Sequence, residues 1–107
     1  MENNTADTGK TPAELPSEAT FAWQRYVAMI ASKDAHFGFL ELLEEKYQHG
    51  GTRTLAEIAH LEGLLETHNS CVQAFTNAQK LLATNNPQAH KLFINVLRDD
   101  TAKIGHD

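Results

Sequence analysis

The stretch KYQHGGTRTLAE, residues 46–57, decides the fold. Two adjacent glycines, Gly50 and Gly51, interrupt a long run of apolar residues that are spaced three and four apart. Directly after them, Thr54-Leu55-Ala56-Glu57 has the composition of a capping box, which opens a helix. Because a connection this short forces the flanking helices to lie antiparallel, the stretch predicts a helical hairpin that turns at the glycines.

Apolar periodicity on both sides of this turn predicts two long helices, over residues 18–48 and 55–84. Asn86-Pro87 then supplies an N-cap and a first-turn proline for a shorter third helix over residues 87–103. No segment shows the alternation of a strand. We therefore expect an all-α domain over residues 17–104, built as a long antiparallel helical hairpin plus a shorter third helix.

The apolar faces of the two long helices should meet along the hairpin. The residues that we assign to these faces are Trp23, Tyr26, Val27, Ile30, Phe37, Leu40, Leu43 and Tyr47 in the first helix, and Ile58, Leu61, Leu65, Val72, Phe75 and Leu82 in the second.

Residues 1–16 have a different composition from the rest of the chain. They are rich in Asn, Thr, Asp and Gly and contain almost no large apolar side chains, so they cannot bury enough surface to offset the entropy lost on ordering. Thr11-Pro12-Ala13-Glu14 could begin a helix, but Pro16 leaves room for about one turn. We predict a flexible arm that precedes a single domain.

Charge and cysteine content exclude several classes of function. The formal net charge is −5 and the nine Lys and Arg residues are scattered, so no basic stripe could follow a nucleic acid backbone. No apolar run approaches the roughly 20 residues that cross a bilayer. Cys71 is the only cysteine and residues 1–7 do not resemble a secretory signal, which favours the cytoplasm.

The turn also fixes which residues lie side by side, because positions whose numbers sum to about 101 or 102 share a level in such a hairpin. Gly38 and Gly63 come out level, which indicates either close packing of the two backbones or a notch. Asp34 and His68 also come out level and interrupt the apolar faces. We interpret Asp34 and His68 as a buried polar pair that sets the register, although an Asp beside a His could also serve catalysis.

Near the turn, the same register places Glu41 and Glu44 level with Glu57 and His60. Glu-x-x-His on one helix, facing two carboxylates on the next, resembles half of a di-iron carboxylate site. Such a donor set suits iron, manganese or zinc, with a symmetric dimer supplying the second half. Glu57 has a second explanation, because it is also the acid of the capping box.

The first helix carries more apolar side chains than one face requires. Phe21, Met29, Phe39 and Leu42 point away from the face that holds Trp23 and its neighbours. A third helix of about 18 residues cannot cover the whole hairpin, and an exposed apolar patch usually marks an interface. We predict a homodimer that closes a four-helix core, with a different helical protein as the main rival partner.

These observations favour a non-enzymatic helical protein that acts through self-association and by binding another protein. Two alternatives remain open at this stage. One is a ferritin-like metal-binding or redox protein that uses Glu41, Glu44, Glu57 and His60. The other is a small-molecule sensor with a pocket among Trp23, Tyr26, Phe75 and the third helix.

Overall fold

The computed structural model describes Pro12 and residues 15–105 of the chain. After a short 3₁₀ helix at Ser17–Ala19 come three α-helices: α1 at Thr20–Lys46, α2 at Leu55–Asn85 and α3 at Pro87–Gly105. No strand occurs in the part of the chain that is described. The all-α fold and its three helices are confirmed, and the boundaries agree with the predicted ones to within about two residues.

The hairpin turn depends on the two glycines. Gly50 and Gly51 have φ values of 111° and 102°, which lie in the left-handed region that side chains with a Cβ rarely adopt. The Gly50 amide donates to the Tyr47 carbonyl at 3.0 Å, and the Tyr47 amide donates to Leu43 at 3.0 Å, so the end of α1 is satisfied before the chain reverses.

A second chain reversal begins α3. The Asn86 side chain accepts a hydrogen bond from the Ala89 amide at 3.1 Å, while the Asn86 carbonyl accepts one from the His90 amide at 3.0 Å. The Asn86 amide in turn closes α2 by donating to Leu82 at 2.8 Å. One residue therefore ends one helix and caps the next, and α3 folds back along the hairpin.

The main core lies at the end of the hairpin remote from the glycine turn, where α1, α2, α3 and the 3₁₀ helix meet. Its buried residues are Leu15, Ala19, Ala22, Trp23, Tyr26, Ala78, Leu82, Ala89 and Phe93. Leu15 is only 8% exposed, so the end of the segment that we predicted as an arm is part of this core. The remainder of that prediction, residues 1–11 and 13–14, lies outside the described residues.

The half of the hairpin nearest the turn contains two helices where the other half contains three. At about 1.5 Å per residue, the 19 residues of α3 reach about 28 Å, whereas the 31 residues of α2 reach about 46 Å. Leu43 is fully buried there, outside the main core. We call residues 34–47 and 55–69 the two-helix half.

Several residues that we assigned to the faces between the long helices are not covered. Phe37 keeps 53% of its surface exposed, Ile58 39%, Leu65 43% and Val72 37%. Leu40, Leu43 and Leu61 are more deeply placed. The assignment of these four residues to the contact between α1 and α2 was wrong, because they lie beside that contact. They also keep much of their surface exposed, because α3 is too short to cover all of them.

Tyr26 and Asp100 connect α1 to α3. The Tyr26 hydroxyl donates to Asp100 Oδ2 at 2.8 Å, and its ring lies 5.1 Å from that of Trp23 and 5.8 Å from that of Phe75. Burial, together with the hydrogen bond to Asp100, raises the pKa of Tyr26 from 10.0 to about 12. The phenol is thus held in its neutral, donating form.

We expect Tyr26→Phe to lower the free energy of unfolding by about 1–2 kcal/mol, since it leaves the Asp100 oxygen without its donor. The pH dependence has a definite sign. Because the folded pKa is raised, the stabilising effect is complete below pH 10 and is lost as the pH rises towards about 12. Urea titrations of both proteins, with absorbance of the ionised phenol recorded at high pH, would measure these effects. Ionisation of Tyr26 near pH 10 in the folded protein, together with unchanged stability of Tyr26→Phe, would contradict them.

The two mid-helix glycines do not bring the long helices closer together. A Cβ built on Gly38 or on Gly63 meets no atom within 4 Å outside its own helix backbone, and both residues are exposed. The predicted close packing of the two backbones at this level is therefore wrong.

Gly63→Ala should raise the free energy of unfolding by about 0.5–1 kcal/mol, because alanine favours the helix and the added methyl meets nothing in the chain. The matched control is Gly51→Ala, which we expect to be destabilising. An alanine at this position has to adopt a backbone φ of 102°, which is unfavourable for a residue with a Cβ, and its Cβ would lie 3.1 Å from Tyr47 Cδ1. Urea denaturation of the parent and the two variants would measure their free energies of unfolding. A Gly63→Ala protein less stable than the parent would contradict the prediction and show that another surface approaches this position.

Candidate functional site

The four residues predicted as metal ligands do not converge. Glu41 and Glu44 are exposed, and Glu57 and His60 each have other contacts. Among the residues that the structure describes, no group of three or more His, Cys, Asp and Glu side chains is placed to hold a metal ion. The geometry thus gives no support to an iron, manganese or zinc site within one copy of the chain.

The carboxylate of Glu57 is engaged by the turn. Lys46 Nζ lies 2.6 Å from Oε2, the Tyr47 hydroxyl donates to Oε1 at 2.6 Å, and the Thr54 amide donates to Oε1 at 2.8 Å. The Glu57 amide returns a hydrogen bond to Thr54 Oγ1 at 3.0 Å, which completes the capping box. These donors, Lys46 first, lower the pKa of Glu57 from 4.5 to about 2. Its place in the capping box therefore explains why a glutamate stands at position 57, and both carboxylate oxygens already have protein partners.

His60 packs against an aromatic ring. Its imidazole meets the ring of Phe39 edge to face, with centroids 4.6 Å apart and planes at 88°. The contact joins α1 and α2 across one side of the hairpin. His60 thereby explains the half-buried position of Phe39, one of the residues that we predicted at an interface.

The predicted buried pair of Asp34 and His68 is not formed as such. Asp34 is exposed, while His68 is half-buried with Nδ1 2.9 Å from Ser32 Oγ. The Ser32 hydroxyl donates to the Met29 carbonyl at 2.8 Å, which leaves its oxygen to accept from a proton on His68 Nδ1. The polar contact exists at the expected level, but with Ser32 in place of Asp34. Ser32 and Asp34 differ by only about 3 Å along the helix axis, so both are near the level predicted from the turn. Their side chains point about 200° apart around that axis, and the side chain of Ser32 is the one that reaches His68.

The four predicted interface residues divide into two groups. Phe21 and Leu42 are 58% and 55% exposed, as a binding surface requires. Met29 is half-buried and packs against the main core, and Phe39 lies on His60. The guanidinium of Arg25 lies 5.3 Å from the centre of the Phe21 ring and covers part of it.

The aromatic residues proposed for a sensor pocket pack against one another. The rings of Trp23, Tyr26, Phe75 and Phe93 form a chain with successive centroids 5.1, 5.8 and 6.3 Å apart. A hollow of about 250 Å³ lies beside Trp23 at the surface. Its lining includes Leu92, Val96 and Asp99. The ring cluster is thus a packed core, and a small molecule would have to use the adjacent hollow.

The chain matches no protein-family model, and no curated protein or solved structure is significantly similar to it. None of the helices within residues 15–105 combines the length and apolar character needed to cross a membrane.

Replacing Glu57 by Gln should change how stability depends on pH. In the parent protein the carboxylate stays charged down to about pH 2, whereas in the unfolded chain it gains its proton near 4.5. Its contribution is therefore complete above pH 4.5 and is lost as the pH falls towards 2. Glu57→Gln keeps an oxygen for the Thr54 amide but should lack this portion of the acid dependence.

Thermal melts of the parent and of Glu57→Gln between pH 2 and pH 7 would test this. Glu62→Gln is the matched control, since it removes an exposed carboxylate from the same helix. Identical acid profiles for the parent and Glu57→Gln would contradict the assignment.

Proposed function

We propose that this chain is a small non-enzymatic helical protein that acts through self-association and by binding another protein. The observation that carries this proposal is the exposure of large apolar side chains on more than one side of the hairpin, including Phe21 and Leu42 on the outside of α1. Glu57, one of the four residues for which the sequence suggested metal binding, instead has its carboxylate bound within the turn.

The outside of α1 suits contact with a second copy. Between Phe21 and Leu42, this side of the helix carries four small, uncharged residues: Ala28, Ala31, Ala35 and Gly38. Its charged residue is Arg25, whose guanidinium lies over the Phe21 ring. Two copies of α1 packed antiparallel about a two-fold axis between residues 31 and 32 would bring Phe21 of one protomer level with the partner's Leu42. Each large side chain would then have an apolar neighbour, and the small residues would let the helices approach closely.

Such a dimer should be weak. Full burial of a Leu or Phe side chain contributes about 1.5–3 kcal/mol, and roughly half of each surface remains to be buried here. The four side chains of a two-fold interface would supply roughly 3–7 kcal/mol. Association itself costs about 4 kcal/mol or more. These side chains alone therefore leave at most about 3 kcal/mol, which corresponds to a dissociation constant in the millimolar range.

We also propose that the protein works in the cytoplasm. Cys71 is a free, half-buried thiol and the only cysteine in the sequence, as is common where a reducing environment makes disulfides rare.

Sedimentation equilibrium over a concentration series from about 0.05 mM to about 5 mM would test self-association. The parent should show a concentration-dependent dimer, and the double variant Phe21→Ser/Leu42→Ser should remain a monomer over the same range. Its matched control is Phe37→Ser/Leu65→Ser, which removes two other exposed apolar side chains from another side of the hairpin and should dimerise like the parent. A parent protein that stays monomeric throughout would overturn the self-association proposal.

A further inference from the structure

Four exposed apolar residues line one side of the two-helix half and its border with the three-helix part. Ile58, Leu65 and Val72 are spaced seven residues apart on α2, and Phe37 projects from α1. Residues seven apart return to the same side of a helix with a drift of only about 20°. The contact of Phe39 with His60 occupies the opposite side of the hairpin, so Phe37 and the α2 residues flank the same edge. We call Phe37, Ile58, Leu65 and Val72 the open groove.

The open groove continues the surface on which α3 lies. Trp23, Ile30 and Phe37 are also spaced seven apart, on α1. Trp23 is 4% exposed in the core that includes Phe93 of α3, and Ile30 packs against that core. Phe37 lies seven residues further along α1, beyond the end of α3, and is 53% exposed. The chain's own third helix thus shows that this side of the hairpin accepts a helix, and the open groove is the part that remains unfilled.

The charges around the open groove have one sign. Asp34, Glu41, Glu44 and Glu62 are exposed on the same side of the two long helices. Residues 34–69 hold seven acidic and two basic side chains, a net charge of −5 that equals that of the whole chain. One of the two basic side chains, Lys46, is bound to Glu57. An occupant of the groove therefore meets apolar contact at the centre and carboxylates at the edges.

On these grounds we propose that the open groove binds an amphipathic helix of a partner protein, with apolar residues on the buried side and Lys or Arg along the flanks. This inference rests on the protein-binding part of the function proposed above and names the class of partner. The distance from Ile58 to Val72 corresponds to about 21 Å, so about four turns of helix fill the groove. A second copy is disfavoured as occupant, because packing two such halves together would place −5 against −5.

A synthetic peptide can stand in for the partner. The probe is a fluorescently labelled helix of about 18 residues, with Leu at positions i, i+3, i+4 and i+7 and Lys elsewhere. One control peptide keeps the leucines and carries Glu in place of Lys. Another has the Leu/Lys composition in an order that gives no apolar face.

Fluorescence anisotropy with the full chain should show micromolar binding of the Leu/Lys peptide and at least about tenfold weaker binding of both control peptides. Raising NaCl from about 0.05 M to about 0.5 M should weaken the binding about tenfold, because the flanking charges are exposed. Circular dichroism of each protein variant would establish that its helices are intact.

Protein variants separate the open groove from general attraction to an acidic surface. Phe37→Ser/Leu65→Ser should weaken binding at least about tenfold, and Glu41→Gln/Glu62→Gln should weaken it by about three- to tenfold. Phe21→Ser/Leu42→Ser, on another side of α1, should bind within about twofold of the parent.

Equal binding of the Leu/Lys peptide to the parent and to Phe37→Ser/Leu65→Ser would overturn the proposal, as would equal binding of the Leu/Glu peptide. If Phe37→Ser/Leu65→Ser instead abolished dimerisation and left peptide binding unchanged, a second copy would be the occupant and this proposal would be wrong. Failure of the self-association proposal looks different. It would appear as a monomeric parent in sedimentation, whatever the peptide does.

Discussion

The network around the Glu57 carboxylate holds the glycine turn to both helices that it connects. Lys46 and Tyr47 end α1, Thr54 caps α2, and all three donate to one side chain. Gly50 and Gly51 permit the reversal, but glycine is flexible and could reverse the chain in other ways. The carboxylate selects one of them. The register along α1 and α2, and hence every contact between the two helices, follows from this end of the hairpin.

The same register divides the molecule into two parts with different chemistry. At the far end, α3 covers Trp23 and Tyr26, and the core is completed by Leu15 and Phe93. At the turn end, two helices bury Leu43 but leave apolar side chains beside their contact. The acidic residues gather in this second part, where they keep an exposed apolar surface hydrated and repel a copy of the same surface. The main core therefore lies at one end of the hairpin, and the groove that we propose as a binding site lies towards the other.

Sequence reasoning succeeded where local chemistry determines the structure. The glycine pair, the capping box at Thr54 and the Asn86-Pro87 helix start are local signals, and the structure confirms them. It failed where the outcome depends on rotation about a helix axis. Apolar periodicity does not distinguish a residue facing the neighbouring helix from one beside it, so Phe37 and Leu65 were assigned to a contact that they only border. Ser32 replaced Asp34 as the neighbour of His68 for the same reason.

The short reach of α3 has a consequence for how the molecule opens. Where three helices meet, exposing the backbone requires the loss of the whole core, so opening there costs nearly the full free energy of unfolding. Towards the turn, the two helices are held by fewer contacts, chiefly Leu43, the Glu57 network and the Phe39–His60 ring contact, and opening there is a smaller event. The hairpin thus carries a gradient of local stability that descends towards its acidic end. A helix bound in the open groove would raise the free energy of local opening at that end in particular. Binding would therefore be coupled to the ordering of the turn.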